Sequence, residues 1–117
     1  MATLTKRILS GSTTGLGIKV VQTATLGTTI HTAVTGTSDM DEIWLYAVNS
    51  DSTARKLTIE WGGATSPDCL IEYTVPAEDG LFLVAPGLLL NNALVVTAFC
   101  ATANVVMIHG WVNRITA

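Results

Sequence analysis

Two histidines, two cysteines and one acidic run are the residues of this sequence whose types can do chemistry, and their spacing fits none of the usual devices. His31 sits in Thr29-Ile30-His31-Thr32 and His109 in Ile108-His109-Gly110-Trp111. Neither belongs to an HExxH or other spaced ligand set, so each reads as a strand histidine with a satisfied ring or as an interface residue. A cysteine nucleophile needs a base beside it. Cys100 lies in the apolar stretch Ala98-Phe99-Cys100-Ala101, and Cys69 follows the anion of Asp68, both unfavourable settings for a thiolate. With no CxxC pattern, two free, buried thiols are expected. Asp39-Met40-Asp41-Glu42 lacks the alternating carboxylates and glycine of a calcium loop and reads as a solvated turn leading into a strand, as does Glu78-Asp79. Glu60 and Glu72 fall on outward strand positions, across from Lys56 or Arg55, where an exposed pair adds only about 0.2–1 kcal/mol. Gly15-Leu16-Gly17 precedes no helix and so makes no phosphate cradle, and no GxSxG elbow exists. The expectation is a chain without catalytic residues, metal or cofactor, and not an enzyme.

Composition points the same way. A length of 117 residues fits one domain. Charged residues make up 13% where about 25% is usual. Hydrophobic residues make up 49%, and mean hydropathy is +0.48. Such a surplus of apolar side chains is best accommodated against neighbouring subunits. Net charge is −3, and the six basic residues (Lys6, Arg7, Lys19, Arg55, Lys56, Arg114) are scattered, which argues against nucleic acid as a partner. No stretch approaches the roughly 20 apolar residues of a membrane span, and the longest apolar run, residues 81–90, is broken by Pro86 and Gly87. Lys6 and Arg7 are followed by no apolar segment of the signal-peptide kind, so assembly in a cytosol-like compartment is expected.

The elements that would carry these residues are short strands. Residues 1–17 are rich in Ser, Thr and Gly and read as an extended N-terminal arm, with Leu4, Ile8 and Leu9 able to grip a neighbour. Residues 18–117 read as one β-sandwich. Strands are predicted over 18–24, 28–34, 42–48, 55–61, 70–75, 81–85, 93–101 and 105–115, with turns at Asn49-Ser50-Asp51-Ser52, Gly62-Gly63, Pro76, Pro86-Gly87 and Asn91-Asn92. Thr102-Ala103-Asn104 reads as a hairpin loop between the last two. The segment 55–61 alternates cleanly, with Leu57, Ile59 and Trp61 to one side. The segments 42–48, 93–101 and 105–115 are apolar on both faces, and only one face of each needs to be core. Trp44 and Tyr46 share one face; with Trp111 and the three arm residues they are the candidate interface. Eight antiparallel strands and no capped helical period predict an all-β, jelly-roll-like sandwich.

Four segments stand out along the chain: Lys6-Arg7-Ile8-Leu9-Ser10-Gly11-Ser12, Thr29-Ile30-His31-Thr32-Ala33, Asp41-Glu42-Ile43-Trp44-Leu45-Tyr46-Ala47 and Ile108-His109-Gly110-Trp111-Val112-Asn113-Arg114-Ile115. With them the whole pattern resembles the small virion proteins of tailed bacteriophages. The resemblance covers nearly the full chain and contains no mechanistic signature. It implies a capsid cement or decoration protein, bound to the major capsid protein lattice or to other virion proteins, as a homo-oligomer such as a trimer, within the virion. A neck, tail or fibre-associated protein is the neighbouring alternative, and a carbohydrate-binding β-sandwich the alternative from another class.

Overall fold

The computed structural model describes residues 2–117, and among them the regular elements are nine strands and no helix. In chain order these are β1 (Thr3–Ile8), β2 (Ile18–Lys19), β3 (Thr28–Thr32), β4 (Met40–Asn49), β5 (Arg55–Trp61), β6 (Leu70–Val75), β7 (Phe82–Leu90), β8 (Val95–Cys100) and β9 (Val106–Thr116). They form two antiparallel sheets. Sheet A has the order β1-β9-β4-β7, with the short β2 continuing the β1 edge alongside β9. Sheet B has the order β3-β8-β5-β6. Apart from the β5–β6 hairpin and the β1–β2 loop, each connection crosses between sheets. Reading β2 to β9 as eight successive strands gives the two interlocked Greek keys of a jelly roll.

Period-two alternation builds this sandwich. Along β4 every second side chain is buried: Asp41, Ile43, Leu45, Ala47 and Asn49 turn inward, while Met40, Glu42, Trp44, Tyr46 and Val48 turn outward. From β9, Ile108 and Val112 join them; from sheet B, Ile30, Leu57, Ile59, Val96 and Ala98 close the core. Full burial of each large aliphatic side chain contributes about 1.5–3 kcal/mol of transfer free energy. Trp61, Ile71 and Tyr73 pack partly buried against this core, on the side of their strands that alternation assigns.

Several expectations are corrected. Residues 3–8 of the expected arm are not free: β1 runs antiparallel to β9 from Thr3 opposite Thr116 to Ile8 opposite Trp111. Their Ser/Thr-rich composition hides this because the pairing uses an edge of β9 that lies more than a hundred residues away in sequence. All six β1 residues remain exposed. Leu9, expected at an interface, turns into the core at 2% exposure. Beyond it, Gly11 N–H donates to Ile30 carbonyl and Thr32 N–H to Ser10 Oγ, so the chain crosses from sheet A to the β3 edge and closes one side of the sandwich.

The strand predicted over 18–24 shrinks to Ile18–Lys19, and residues 21–27 instead run across to sheet B, where Gln22 carbonyl accepts from Cys100 N–H. The strand predicted to end at Ala85 continues through Pro86-Gly87 to Leu90. Proline is tolerated there because β7 is an edge strand, and its register with β4 shifts twice around that point. The Thr102-Ala103-Asn104 loop is not a hairpin, because β8 and β9 belong to different sheets.

Candidate functional site

Three of the polar residues, His31, Asp41 and Glu60, are buried and held in hydrogen-bond networks of the fold. Asp41, expected in a solvated acidic turn, is fully buried at the start of β4. Its Oδ1 accepts from Arg114 Nε at 2.8 Å, and its Oδ2 accepts from Arg114 Nη2 at 3.1 Å and from Val34 N–H at 3.1 Å. His31 Nε2 lies 2.7 Å from the same Oδ2, and His31 Nδ1 accepts the Ser10 N–H at 3.0 Å. That pattern assigns the neutral ring with its proton on Nε2. Both ring nitrogens are occupied, so the His–Asp pair has none left for a nucleophile or a metal. Burial pushes the Asp41 carboxyl up, but hydrogen bonds from Arg114 and His31 and the guanidinium charge outweigh it and hold it below the usual carboxylate range. The cluster ties β3 of sheet B to β4 and β9 of sheet A.

Glu60 is likewise buried, against the expectation of an outward, solvated carboxylate. The segment before β3 covers it. Gly27 N–H donates to Glu60 Oε1 at 2.8 Å, and Thr97 Oγ1 donates to the same oxygen at 2.6 Å. Burial raises its pKa, and the donors Thr97, Gly27 and Thr25 bring it below the ordinary value. The exposed pair on this face is Lys56 with Glu72, at 2.7 Å. Cys100 is buried and Cys69 half-buried, both as free thiols. Among the described residues, no group of three or more His, Cys, Asp and Glu side chains is arranged to hold a metal ion.

What remains is a surface. The outer face of sheet B is mixed. Thr29, Thr32, Lys56, Glu72 and Thr74 are its polar part, and Leu70, Val95 and Phe99 lie half-buried among them, with Leu26 exposed beside Val95. Thr58, Glu60 and Thr97, of the same parity, are buried. The outer face of sheet A is apolar and aromatic. Strand register sorts its side chains into rows across the sheet, because directly opposed residues share a face. Leu4, Ile115 and Met40 form one row; Lys6, Asn113, Glu42 and Leu89 the next; Ile8, Trp111, Trp44 and Pro86 the third; His109, Tyr46 and Leu83 the fourth. Five of the six residues singled out from sequence, Leu4, Ile8, Trp44, Tyr46 and Trp111, therefore stand on one face; Leu9 does not. Met40, Leu83, Leu89 and Ile115 belong to the same face and were missed, because their strand pairings, not their spacing, put them there.

The aromatic rings are stacked on one another. Trp44 and Trp111 lie with centroids 5.6 Å apart and planes within 11°, and Tyr46 lies 5.9 Å from Trp111. Lys6 Nζ sits over the Trp111 ring at 5.6 Å. Trp44 Nε1 donates to Glu42 Oε1 at 2.8 Å, and Asn113 Nδ2 donates to the same oxygen at 2.9 Å. These bonds hold the Glu42 carboxyl below its usual range, so it stands ionised amid apolar neighbours. Gly87 allows β7 to pass close to Trp44: a Cβ there would lie 2.8 Å from Trp44 Cζ2. Among the described residues, the buried Trp111 indole N–H has no hydrogen-bond partner.

Fold and surface together define a jelly-roll β-sandwich with one mixed, threonine-bearing outer face and one contiguous apolar, aromatic outer face. No family model matches the chain, and neither the curated proteins nor the solved structures compared with it give a match.

Proposed function

We propose that this chain is a structural subunit of a tailed-phage particle, a cement or decoration protein that braces the major capsid protein lattice and works by contact, not catalysis. The observation that carries the reading is the outer face of sheet A, where aliphatic and aromatic side chains are contiguous across four strands, while on sheet B threonines and an ion pair interrupt the apolar Leu70, Val95 and Phe99. Exposed apolar patches of that extent mark contact surfaces. A sandwich whose buried His–Asp pair is locked into cross-sheet hydrogen bonds suits a rigid brace. The jelly roll is compatible with this role, although the fold alone does not specify it. The resemblance of the chain to small phage virion proteins supplies the setting, with assembly in the host cytoplasm.

Mass spectrometry of purified heads tests the proposal. The expected result is this chain at hundreds of copies per particle, a stoichiometry that follows from binding to a lattice. About a dozen copies would place it at the neck or tail instead, and absence from intact particles would refute a virion role. The aromatic cluster also raises carbohydrate binding as a second reading. Sugar recognition uses ring faces turned outward, whereas Trp44, Trp111 and Tyr46 stack on each other. A glycan array is expected to show no binding.

A further inference from the structure

We infer that the outer face of sheet A is covered by a second copy of this chain, related by a two-fold axis that lies between the two facing A sheets and runs parallel to the strands, between β9 and β4. This goes beyond the capsid reading; it assigns to a second copy the same face that carries that reading, and the two are told apart by separate measurements.

Three features of the face carry the inference. The first is charge. Lys6, Asn113 and Glu42 occupy one row, on β1, β9 and β4. Rotation about the stated axis keeps each row at its own height and exchanges left for right, so β1 of one copy lies over β7 of the other and β9 over β4. Each Lys6 then sits at the height of the other copy's Glu42 and about 4.8 Å to its side, one strand spacing, within the reach of a lysine across sheets about 10 Å apart. The apolar rows above and below fall on themselves, aromatic on aromatic.

The second feature is shape. Leu4 projects from the β1 edge at 66% exposure, in the row of Met40. At the opposite edge of that row a hollow of about 230 Å³ is lined by Met40, Leu89, Leu90 and Asn91. The same rotation that brings Lys6 to Glu42 lays Leu4 of one copy over this hollow in the other. One operation therefore satisfies a charge pair and a knob-and-hole pair at once, twice over by symmetry, as an isologous interface requires.

The third is area. Four strands side by side and about eight residues long give a footprint of roughly 500 Å² per copy, or about 1,000 Å² for the pair, which reaches the threshold for a specific interface. Aligned face-to-face packing is also the ordinary way two twisted sheets meet. The self-complementary rows favour a two-fold pair over the trimer that the viral resemblance implies.

Light scattering coupled to size exclusion, on the full chain across a concentration series, is the test. The expected mass is twice the 12.3 kDa of one chain. Leu89→Glu, at a position 53% exposed and outside the core, is expected to give a monomer with unchanged near-UV circular dichroism. Lys6→Glu and Glu42→Lys are each expected to weaken the dimer by about tenfold or more. The double exchange is expected to restore it, because opposite charges again meet across the axis with their positions swapped. That rescue separates contact between copies from any loss of the intrachain bonds of Glu42. A wild-type monomer at about 100 µM, a trimer, or a dimer indifferent to Leu89→Glu and to the charge exchange would overturn the inference. A dimer formed by a chain that purified heads lack would sustain it while sinking the capsid role.

Discussion

At the scale of single residues, similar side chains have opposite fates. Leu4 and Leu9 are five positions apart, both apolar, in one Ser/Thr-rich lead-in. One is exposed and the other is core. Leu9→Ala is expected to cost about 2–5 kcal/mol in urea denaturation, while Leu4→Ala, compared in the Leu89→Glu background where no second copy covers it, stays within about 0.5 kcal/mol. Asp41 is the polar counterpart. Asp41→Asn removes the charge facing Arg114 and leaves one acceptor oxygen where Arg114, His31 and Val34 all donate, so it is expected to lose about 3 kcal/mol. The pH dependence follows from its low folded pKa. The unfolded carboxyl titrates near 3.9 and takes up its proton first as pH falls. The stabilisation is therefore fully present above that value and is lost as pH falls through the lower folded value. The gap between wild type and Asp41→Asn, measured by denaturation at a series of pH values, should be widest near neutrality and narrow below about pH 4. Sequence could not reveal this cluster, since Arg114 lies 73 residues from Asp41 and the Asp39–Glu42 run looks like an ordinary acidic turn.

At the scale of elements, alternation was the legible signal. The pattern of residues 43–48 and 55–61 identifies strands and their inward sides, because period two follows from the pleat itself. It does not tell which edge each strand borders, and the misjudged elements are those where the edge decides. β1 is a strand because β9 offers it a free edge, and β7 survives Pro86 because its own outer edge needs no donor. Lys6 and Arg7 guard the open edge of β1 against indiscriminate pairing. Since β1 buries none of its side chains, a chain lacking residues 2–8 is expected to keep cooperative unfolding in denaturant, with Leu9 still in the core. Gly110 is the opposite case. A Cβ there would run into the carbonyl oxygen of Trp44 on β4, so Gly110→Ala must part the two central strands of sheet A. Loss of cooperative unfolding, or a midpoint drop equivalent to several kcal/mol, is the expected outcome.

At the scale of the whole molecule, the apolar outer face was more legible in the sequence than the buried polar supports behind it. The low charge content and the strands apolar on both faces anticipate a sandwich with one side too apolar for water. Five of the six candidate interface residues fall on that side because Trp44, Tyr46 and Trp111 share the outward parity of their strands and Leu4 and Ile8 share that of β1. The choice between the two sheets needed the strand order, which pairs β4 and β9 in sheet A but puts β8, also apolar on both faces, among the threonine-bearing strands of sheet B. Contact as the mode of action requires that sheet A's outer face be covered by protein. Hydroxyl-radical footprinting of the wild-type chain against Leu89→Glu tests this most directly. The predicted result is protection of Leu4, Ile8, Trp44, Tyr46, Leu83 and Trp111 in the wild type and their release in the variant, with Thr74 and Lys56 on sheet B labelled equally in both. Equal labelling of the sheet A face in the two proteins, with the wild type as reactive as the variant, would contradict it.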